Sequence, residues 1–294
     1  MNNFKNKIKI LIRNIKHLIK LIKDNEIPKK SVLKLSNISD PKDFKINNSE
    51  SSPLLLLSSK YRRVTKSRFK EINKMIKKLH NFQIFFFSHK NRDLYMKKNW
   101  KTHNIYKLYE KSIFQQMKSD IFRYCFVYDN GGYWLDFKST LYFDIDSLMN
   151  SNHQTLLVLS SQQINENEKA NISEDILSVL SGNIVNNWVF GAKKNSNFLK
   201  FLIDDISTSY HSYENQNFYS PKNAILELTG PLKITKLFLN YIETDSNNLK
   251  EFFIVNESDY EFQYISDFGR DFHLSDNVFS KHYSRLENKK IIKY

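Results

Sequence analysis

Apolar residues along this chain fall into short runs and longer periodic stretches, which predict strands and helices respectively. The short runs predict strands at residues 54–57, 82–87, 133–137, 140–145, 156–159 and 188–190. Apolar positions at helical spacing predict helices over residues 66–79, 104–128, 196–208 and 222–242. Strands that alternate with helices predict an α/β protein with a largely parallel sheet.

The first 25 residues combine helical apolar spacing with lysines on the other face, which predicts a basic amphipathic helix. Such a helix either lies on an anionic membrane leaflet or docks its apolar stripe on its own domain, and the two readings stay open. Residues 35–53 are rich in Ser, Asn, Asp and Pro, which is typical of a linker. The organisation predicted is therefore a helix and linker over residues 1–50, followed by one domain over 51–294.

Charge is divided unevenly along the 294 residues. The chain has 45 Lys and Arg against 31 Asp and Glu, a net charge of +14. Residues 1–119 hold 29 of the basic and 8 of the acidic residues, so the first part carries +21 and the remainder −7. This asymmetry disfavours a protein that binds nucleic acid over its whole surface. It predicts an anionic partner for the first part, such as membrane lipid or a phosphorylated substrate.

Cysteine content and hydropathy narrow the class of protein further. The single cysteine, Cys125, excludes an intrachain disulfide and a cysteine-based zinc site, and its apolar neighbours predict a buried structural thiol. No apolar run reaches the ~20 residues that span a bilayer. Lysines interrupt the apolar residues of the N-terminus, which is unlike a secretory signal. We expect a cytoplasmic protein, peripheral on the inner face of the cell membrane if the N-terminal helix binds lipid.

A pair of glycines and three charged residues mark the candidate site. Only 6 glycines occur in the chain, and two of them are adjacent, Gly131-Gly132. The pair predicts a tight turn between a helix and a strand, and the strand runs into Asp136, where ligands of open α/β sheets bind. Asp120 and Arg123 are three residues apart, hence on one face of the preceding helix. They either pair with each other or bind sugar hydroxyls.

The stretch from Ser119 to Asp136 resembles the DxD-containing sugar-transferase family, which is glycosyltransferase family 32 with its capsular polysaccharide synthesis relatives and, more distantly, the clostridial glucosylating toxins. The matching pattern is S-D-x-x-R-Y followed by G-G-Y-W-L-D, and its two aspartates are 16 positions apart. Asn187 to Ala192 and T-G-P at 229–231, with Thr235, resemble two further family segments. The resemblance covers roughly residues 50–285.

The resemblance implies a GT-A type fold, a Rossmann-like mixed sheet flanked by helices, over the domain at 51–294. It also implies sugar transfer from a UDP- or GDP-sugar with retention of configuration. Carried over by position, the catalytic residues are Asp120, Arg123 and Asp136. The implied donor-binding residues are Leu55, Leu56, Gly131, Gly132, Tyr133, Trp134, Lys138 and Asn187. The implied acceptor or pocket residues are Thr229, Gly230 and Pro231.

The chain departs from the family at the second acid of the DxD motif, where Lys138 stands. That acid holds Mn²⁺ or Mg²⁺ in the family, and an ammonium group cannot replace it as a ligand. Three readings follow: Lys138 neutralises the diphosphate without metal, Asp136 binds metal together with a C-terminal ligand such as His282, or the protein is inactive. Capsule-type relatives also start this motif with W-L-D and lack the second acid, which favours an active enzyme.

Three functions follow from the sequence. The first is a transferase that extends a saccharide or lipid-linked saccharide in capsule or surface polysaccharide synthesis. The second is a toxin-like effector that glycosylates a protein. The third is a non-enzymatic membrane or nucleic-acid binding protein, but none of the usual nucleic-acid motifs occurs in the chain, so no nucleic-acid partner is expected.

Overall fold

The computed structural model describes residues 38–39, 52–59, 66–149, 152–163, 180, 182–259, 262–264 and 286–293. The predicted N-terminal helix and His282 lie outside these residues. So does most of the predicted linker, of which Ile38–Ser39 forms a short strand. The division at residue 50 therefore stays a prediction. Within the described residues, no helix has both the length and the apolar character needed to cross a membrane.

A mixed sheet forms the centre of the domain. The described residues contribute seven strands in the order β1-β3-β2-β4-β7-β6-β8. They are β1 (Ile38–Ser39), β2 (Leu54–Ser58), β3 (Gln83–Phe87), β4 (Gly132–Leu135), β6 (Thr155–Gln163), β7 (Asn183–Ala192) and β8 (Phe252–Asn256). Strands β1 to β4 pair in parallel, whereas β7 runs antiparallel to both of its neighbours. A second, two-stranded sheet joins β5 (Ser139–Leu141) to β9 (Phe262–Tyr264).

Helices cover both faces of the large sheet. The helix α1 (Lys66–Lys78) packs on one face, where its Ile72 and Met75 join a core with alternate residues of the strands. The other face carries α2 (His89–Trp100), α3 (Asn104–Lys111), α4 (Gln115–Asn130), α5 (Asn197–Ser209), α6 (Pro221–Leu228) and α7 (Pro231–Thr244). The expected α/β architecture, a largely parallel mixed sheet flanked by helices, is confirmed.

Two predicted helices are each split in the structure. The helix predicted over 104–128 is α3 and α4, because Ser112 leaves the helix to pair with Ile292. The helix predicted over 222–242 is α6 and α7, because Thr229 and Gly230 separate them. The sequence did not predict α2 at all. Its buried residues include Arg92, so its inward face does not read as an apolar stripe.

Candidate functional site

The turn at the glycine pair places α4 beside β4. Gly131 ends α4 by donating its N–H to Val127 O at 2.8 Å, and both glycines have positive φ, 73° and 100°. A Cβ on Gly132 would lie only 2.6 Å from Leu54 Cβ, so glycine is required for β4 to approach β2. The chain then reverses, and the first half of α4 lies beside the carboxyl end of β4.

Arg123 links the two acids of the site. Its Nη2 lies 3.2 Å from Asp120 Oδ1, and its Nη1 lies 3.2 Å from Asp136 Oδ1. Nη1 also donates to the main-chain carbonyl of Asn187, and Nε donates to Ser119 O at 3.3 Å. Arg123 is only 4% exposed. A single buried guanidinium therefore fixes one carboxylate from a helix and one from a strand end, which the planar fork of arginine suits.

Asp120 is the more deeply buried of the two acids. One carboxylate oxygen accepts from Asn187 Nδ2 at 3.0 Å, and the other accepts from Thr229 Oγ1 at 3.1 Å. Burial raises the pKa of Asp120 and the nearby charge of Asp136 adds to this, whereas Arg123 and the two hydrogen bonds lower it, and the net result is a pKa of about 7. Asp120 therefore titrates near neutral pH, unlike an ordinary aspartate.

Asp136 is the most exposed of the three charged residues in this cluster. Its Oδ1 accepts from the indole Nε1 of Trp134 at 2.9 Å, and its side chain is 28% exposed, against 9% for Asp120. The guanidinium of Arg123 stacks over the Trp134 ring, 4.7 Å from the ring centre. Trp134 and Asp136 therefore share one face of the strand, and Asp136 presents its acid to solvent.

The hydroxyl of Tyr124, on α4, contacts both Asn187 of β7 and Thr229 at the end of α6. Tyr124, which was not among the predicted site residues, donates to Thr229 O at 2.8 Å and lies 3.4 Å from Asn187 Nδ2. Burial raises the pKa of Tyr124, so its phenol stays protonated. Its only signal in the sequence was its place beside Arg123 in the S-D-x-x-R-Y pattern.

The T-G-P-x-x-x-T segment holds β7 in place. Pro231 is the first residue of α7, and a Cβ on Gly230 would lie 2.8 Å from Leu226 Cα. Thr235 Oγ1 accepts from Val185 N at 2.9 Å, two residues before Asn187. Thr229 is thus the member of this segment that touches the cluster, while Gly230, Pro231 and Thr235 support it.

Five predicted donor-binding residues lie away from the cluster. Leu55 and Leu56 have no exposed surface in the middle of β2. Tyr133 points to the opposite core, where its hydroxyl donates to Asp146 Oδ1 at 2.6 Å. Gly131 and Gly132 lie at the start of β4, about 13 Å from Asp136 at the strand spacing of roughly 3.3 Å per residue. In the structure the glycines have a packing role at the amino end of β4, opposite to the end where Asp136 lies.

Lys138 follows Asp136 in the turn where Ser139 N donates to Asp136 O at 2.7 Å. It is half-buried and, among the described residues, forms no hydrogen bond or ion pair. The described residues contain no group of three His, Cys, Asp or Glu that could hold a metal ion. Asp136 Oδ1 is already engaged by Arg123 and Trp134. His282, the predicted C-terminal metal ligand, lies outside the described residues.

The cluster is suited to bind a ligand rich in hydroxyl groups. A carboxylate, a guanidinium and an amide lie together at the carboxyl end of a parallel strand, which is where open α/β sheets place their ligands. Charged groups form stronger hydrogen bonds to hydroxyls than neutral groups do. The acids are not arranged as two free carboxylates flanking a bond, because one arginine binds both.

Comparison with known proteins finds similarity to solved structures of glycosyltransferases. Neither a family model nor a curated protein matches the chain. The PaToxG glycosyltransferase matches with 14% identity over 76% of this chain and 84% of its own, at a TM-score of 0.44. A glycosyltransferase involved in glycosylation of the major capsid of PBCV-1 matches with 11% identity over 76% and 99%, at 0.34. The UDP-bound glycosyltransferase domain of the YGT toxin matches with 12% identity over 63% and 56%, also at 0.34. Similarity at these identities and TM-scores does not assign a function.

Proposed function

We propose that this chain is a glycosyltransferase of the GT-A type, which moves a sugar from a nucleotide-sugar donor to an acceptor hydroxyl. The observation that carries the proposal is the buried Arg123, which joins Asp120 and Asp136 at the carboxyl end of β4. These are the three residues that the resemblance to the sugar-transferase family implies as catalytic. The contacts among them support that assignment.

Asp120, Arg123 and Asn187 hold the hydroxyl groups of the donor sugar in this proposal. Asn187 Nδ2 and Thr229 Oγ1 keep the Asp120 carboxylate in one orientation before the donor binds. Asp136, the exposed acid, contacts the part of the donor that lies nearer to solvent. Trp134 orients Asp136 through its indole N–H.

Charge on the departing nucleoside diphosphate must be stabilised for the sugar to leave. Lys138, two residues beyond Asp136, is positioned in sequence to do this with its ammonium group. Asp136 would be the carboxylate that holds Mn²⁺ or Mg²⁺ if a metal bridges the chain and the diphosphate. Transfer measured with added Mn²⁺, with added Mg²⁺ and with a chelator tests their role, and loss of transfer in the chelator alone would show that Lys138 is not sufficient.

The acceptor that we propose is a saccharide or lipid-linked saccharide of a surface polysaccharide such as capsule, used at the cytoplasmic face of the membrane. Support comes from the W-L-D start of the motif and from the +21 charge of residues 1–119, which suits anionic lipid. Transfer to a protein acceptor instead would favour the effector function. NMR of the product gives the anomeric configuration, where retention is expected.

The test of the proposed function is a panel of UDP- and GDP-sugars incubated with the purified full chain. We expect binding and slow hydrolysis of one donor, and loss of hydrolysis in Asp136→Asn. The matched control is Glu243→Gln, which removes an exposed acid far along α7 and leaves the cluster intact. If no donor binds or is hydrolysed, and Asp136→Asn behaves as the unaltered chain does, the proposal is wrong.

A further inference from the structure

A second buried arginine, Arg92, lies close to this site, and the acids Asp93 and Asp120 act on it only through their charges, without direct contact. Arg92 is 2% exposed. Its Nη2 donates to Gln115 Oε1 at 2.8 Å, while its Nε is buried with no hydrogen-bond partner. Among the described residues, no carboxylate lies within ion-pair distance of it. The neighbouring Asp93 accepts a hydrogen bond from Tyr109 at 2.6 Å.

Leaving a charge buried and unpaired costs several kcal/mol, so native proteins seldom retain one without use. Arginine cannot escape this cost by losing its proton, because its guanidinium stays charged at any physiological pH. Replacing Arg92 with an apolar residue of similar length would remove the cost. A ligand with negative charge would remove it too, and would gain strong hydrogen bonds from the guanidinium.

Two helix N-termini meet at Arg92. Arg92 lies near the start of α2, and Gln115, to which it donates, is the first residue of α4. Neither helix has an acidic residue in its first turn, and Phe114, which precedes α4, provides no side-chain cap. The positive ends of both helices therefore add to the charge of Arg92, as they do in phosphate sites at helix N-termini.

The position of Arg92 relative to the Asp120 cluster suits a donor that contacts both. Helix α2 follows the carboxyl end of β3, which runs parallel to β2, the neighbour of β4. Gln115 precedes Asp120 by five residues, a rise of about 7.5 Å along α4. A diphosphate joined to a sugar at Asp120 can therefore reach the start of α4.

We propose that Arg92 and the N-termini of α2 and α4 bind a phosphate group of the donor's diphosphate. The proposal rests on the proposed function and deepens it, because it assigns a cation to the leaving group in a chain where Lys138 replaces the second acid. Arg92 then holds its charge buried in the free protein so that the site is ready for the anion before the donor arrives.

The test is titration calorimetry of the full chain with UDP, GDP, pyrophosphate and the corresponding nucleosides, without divalent metal. We expect Arg92→Met to weaken binding of the preferred nucleoside diphosphate and of pyrophosphate at least tenfold, and to leave binding of the nucleoside unchanged. Lys97→Met, an exposed cation on the same helix, is the control and should bind as the unaltered chain does. The melting temperature of Arg92→Met without ligand should equal or exceed that of the unaltered chain.

Two results would overturn the inference. One is unchanged pyrophosphate binding in Arg92→Met, even if donor hydrolysis supports the proposed function. The other is a melting temperature that falls by several degrees in both Arg92→Met and Arg92→Gln, which would give Arg92 a structural role. Conversely, pyrophosphate binding that depends on Arg92 in a chain that binds no nucleoside diphosphate would support the phosphate site and contradict the proposed function.

Discussion

Arg123 and Arg92 are both buried and lie near the carboxyl ends of parallel strands in one sheet, but their surroundings differ. Arg123 contacts two carboxylates, two main-chain carbonyls and an indole ring. Arg92 contacts one glutamine side chain and has an unpartnered Nε. A buried charge can therefore be neutralised by groups of the protein itself, as in Arg123, or be available to a ligand, as we propose for Arg92. Removal of each arginine should therefore have opposite effects on stability.

The largest effect is expected from Arg123→Met. Its loss leaves Asp120 buried without its cation, so the free energy of unfolding at pH 7 should fall by about 3–5 kcal/mol. Urea unfolding followed by circular dichroism measures it. Arg92→Met is the matched control, with little or no loss expected. Equal losses in the two variants would contradict the distinction between the arginines.

A smaller loss is expected from Thr229→Val, which keeps the shape of the side chain and removes the hydroxyl that donates to Asp120 Oδ2. Leaving that buried oxygen with one donor fewer should cost about 1–3 kcal/mol of unfolding free energy. Thr208→Val is the control, because the Thr208 hydroxyl is exposed and bonds only main-chain carbonyls of its own helix. A loss no larger than that of the control would show that Arg123 and Asn187 satisfy Asp120 without Thr229.

The pH dependence of stability should show the raised pKa of Asp120. A carboxyl that has a pKa of about 7 when folded and an ordinary, lower pKa when unfolded binds its proton more tightly in the folded chain. Its contribution to stability is therefore present at about pH 4 and is lost as the pH rises to about 7, by at most about 1.4 kcal/mol per pH unit. Besides burial, the groups that set this pKa are Arg123, Asp136, Thr229 and Asn187.

Unfolding free energies measured from pH 5 to 8, in the unaltered chain and in Asp120→Asn, isolate the contribution of Asp120. As the pH rises, the free energy of unfolding of the unaltered chain should fall relative to that of Asp120→Asn. A difference that stays constant, or that shifts the other way, would show that Arg123 outweighs burial and keeps the carboxylate ionised.

The smallest effect is expected from inorganic phosphate. At a phosphate concentration equal to its dissociation constant, a site in the folded chain stabilises it by about 0.4 kcal/mol. Thermal unfolding with and without phosphate, at constant ionic strength, should show this gain in the unaltered chain and in Lys97→Met. Arg92→Met should show none. A gain of the same size in Arg92→Met would place the anion elsewhere.

The charged part of the site could be predicted from the sequence because its geometry is local. Asp120 and Arg123 share a helix face by their spacing, and Asp136 ends the next strand, so only 17 residues define the three charges. The side chains that orient them come from Asn187 and Thr229, far along the chain. The resemblance to a family predicted both residues, but spacing alone could not have brought them to Asp120.

The residues that lie away from the cluster, and the one that was missed, also have physical explanations. The resemblance assigned Tyr133 and the glycine pair to the donor, whereas strand alternation turns Tyr133 to the opposite core, and the glycines meet Leu54 and Lys194 at the far end of β4. Arg92 was missed because a buried arginine in a polar helix has the same sequence signal as an exposed one. Only the structure shows that Asp93 is paired with Tyr109 instead.

The contact between Trp134 and the two charges of the site also makes Trp134 an optical reporter. Its ring lies under the Arg123 guanidinium, and its N–H points to Asp136. The wavelength of indole emission depends on the electric field across the ring. A ligand that moves either charge therefore shifts the emission maximum of Trp134. Of the three tryptophans, Trp100 bonds Asp129 outside the site. Occupancy of the sugar site can therefore be followed in the unlabelled chain by its own fluorescence.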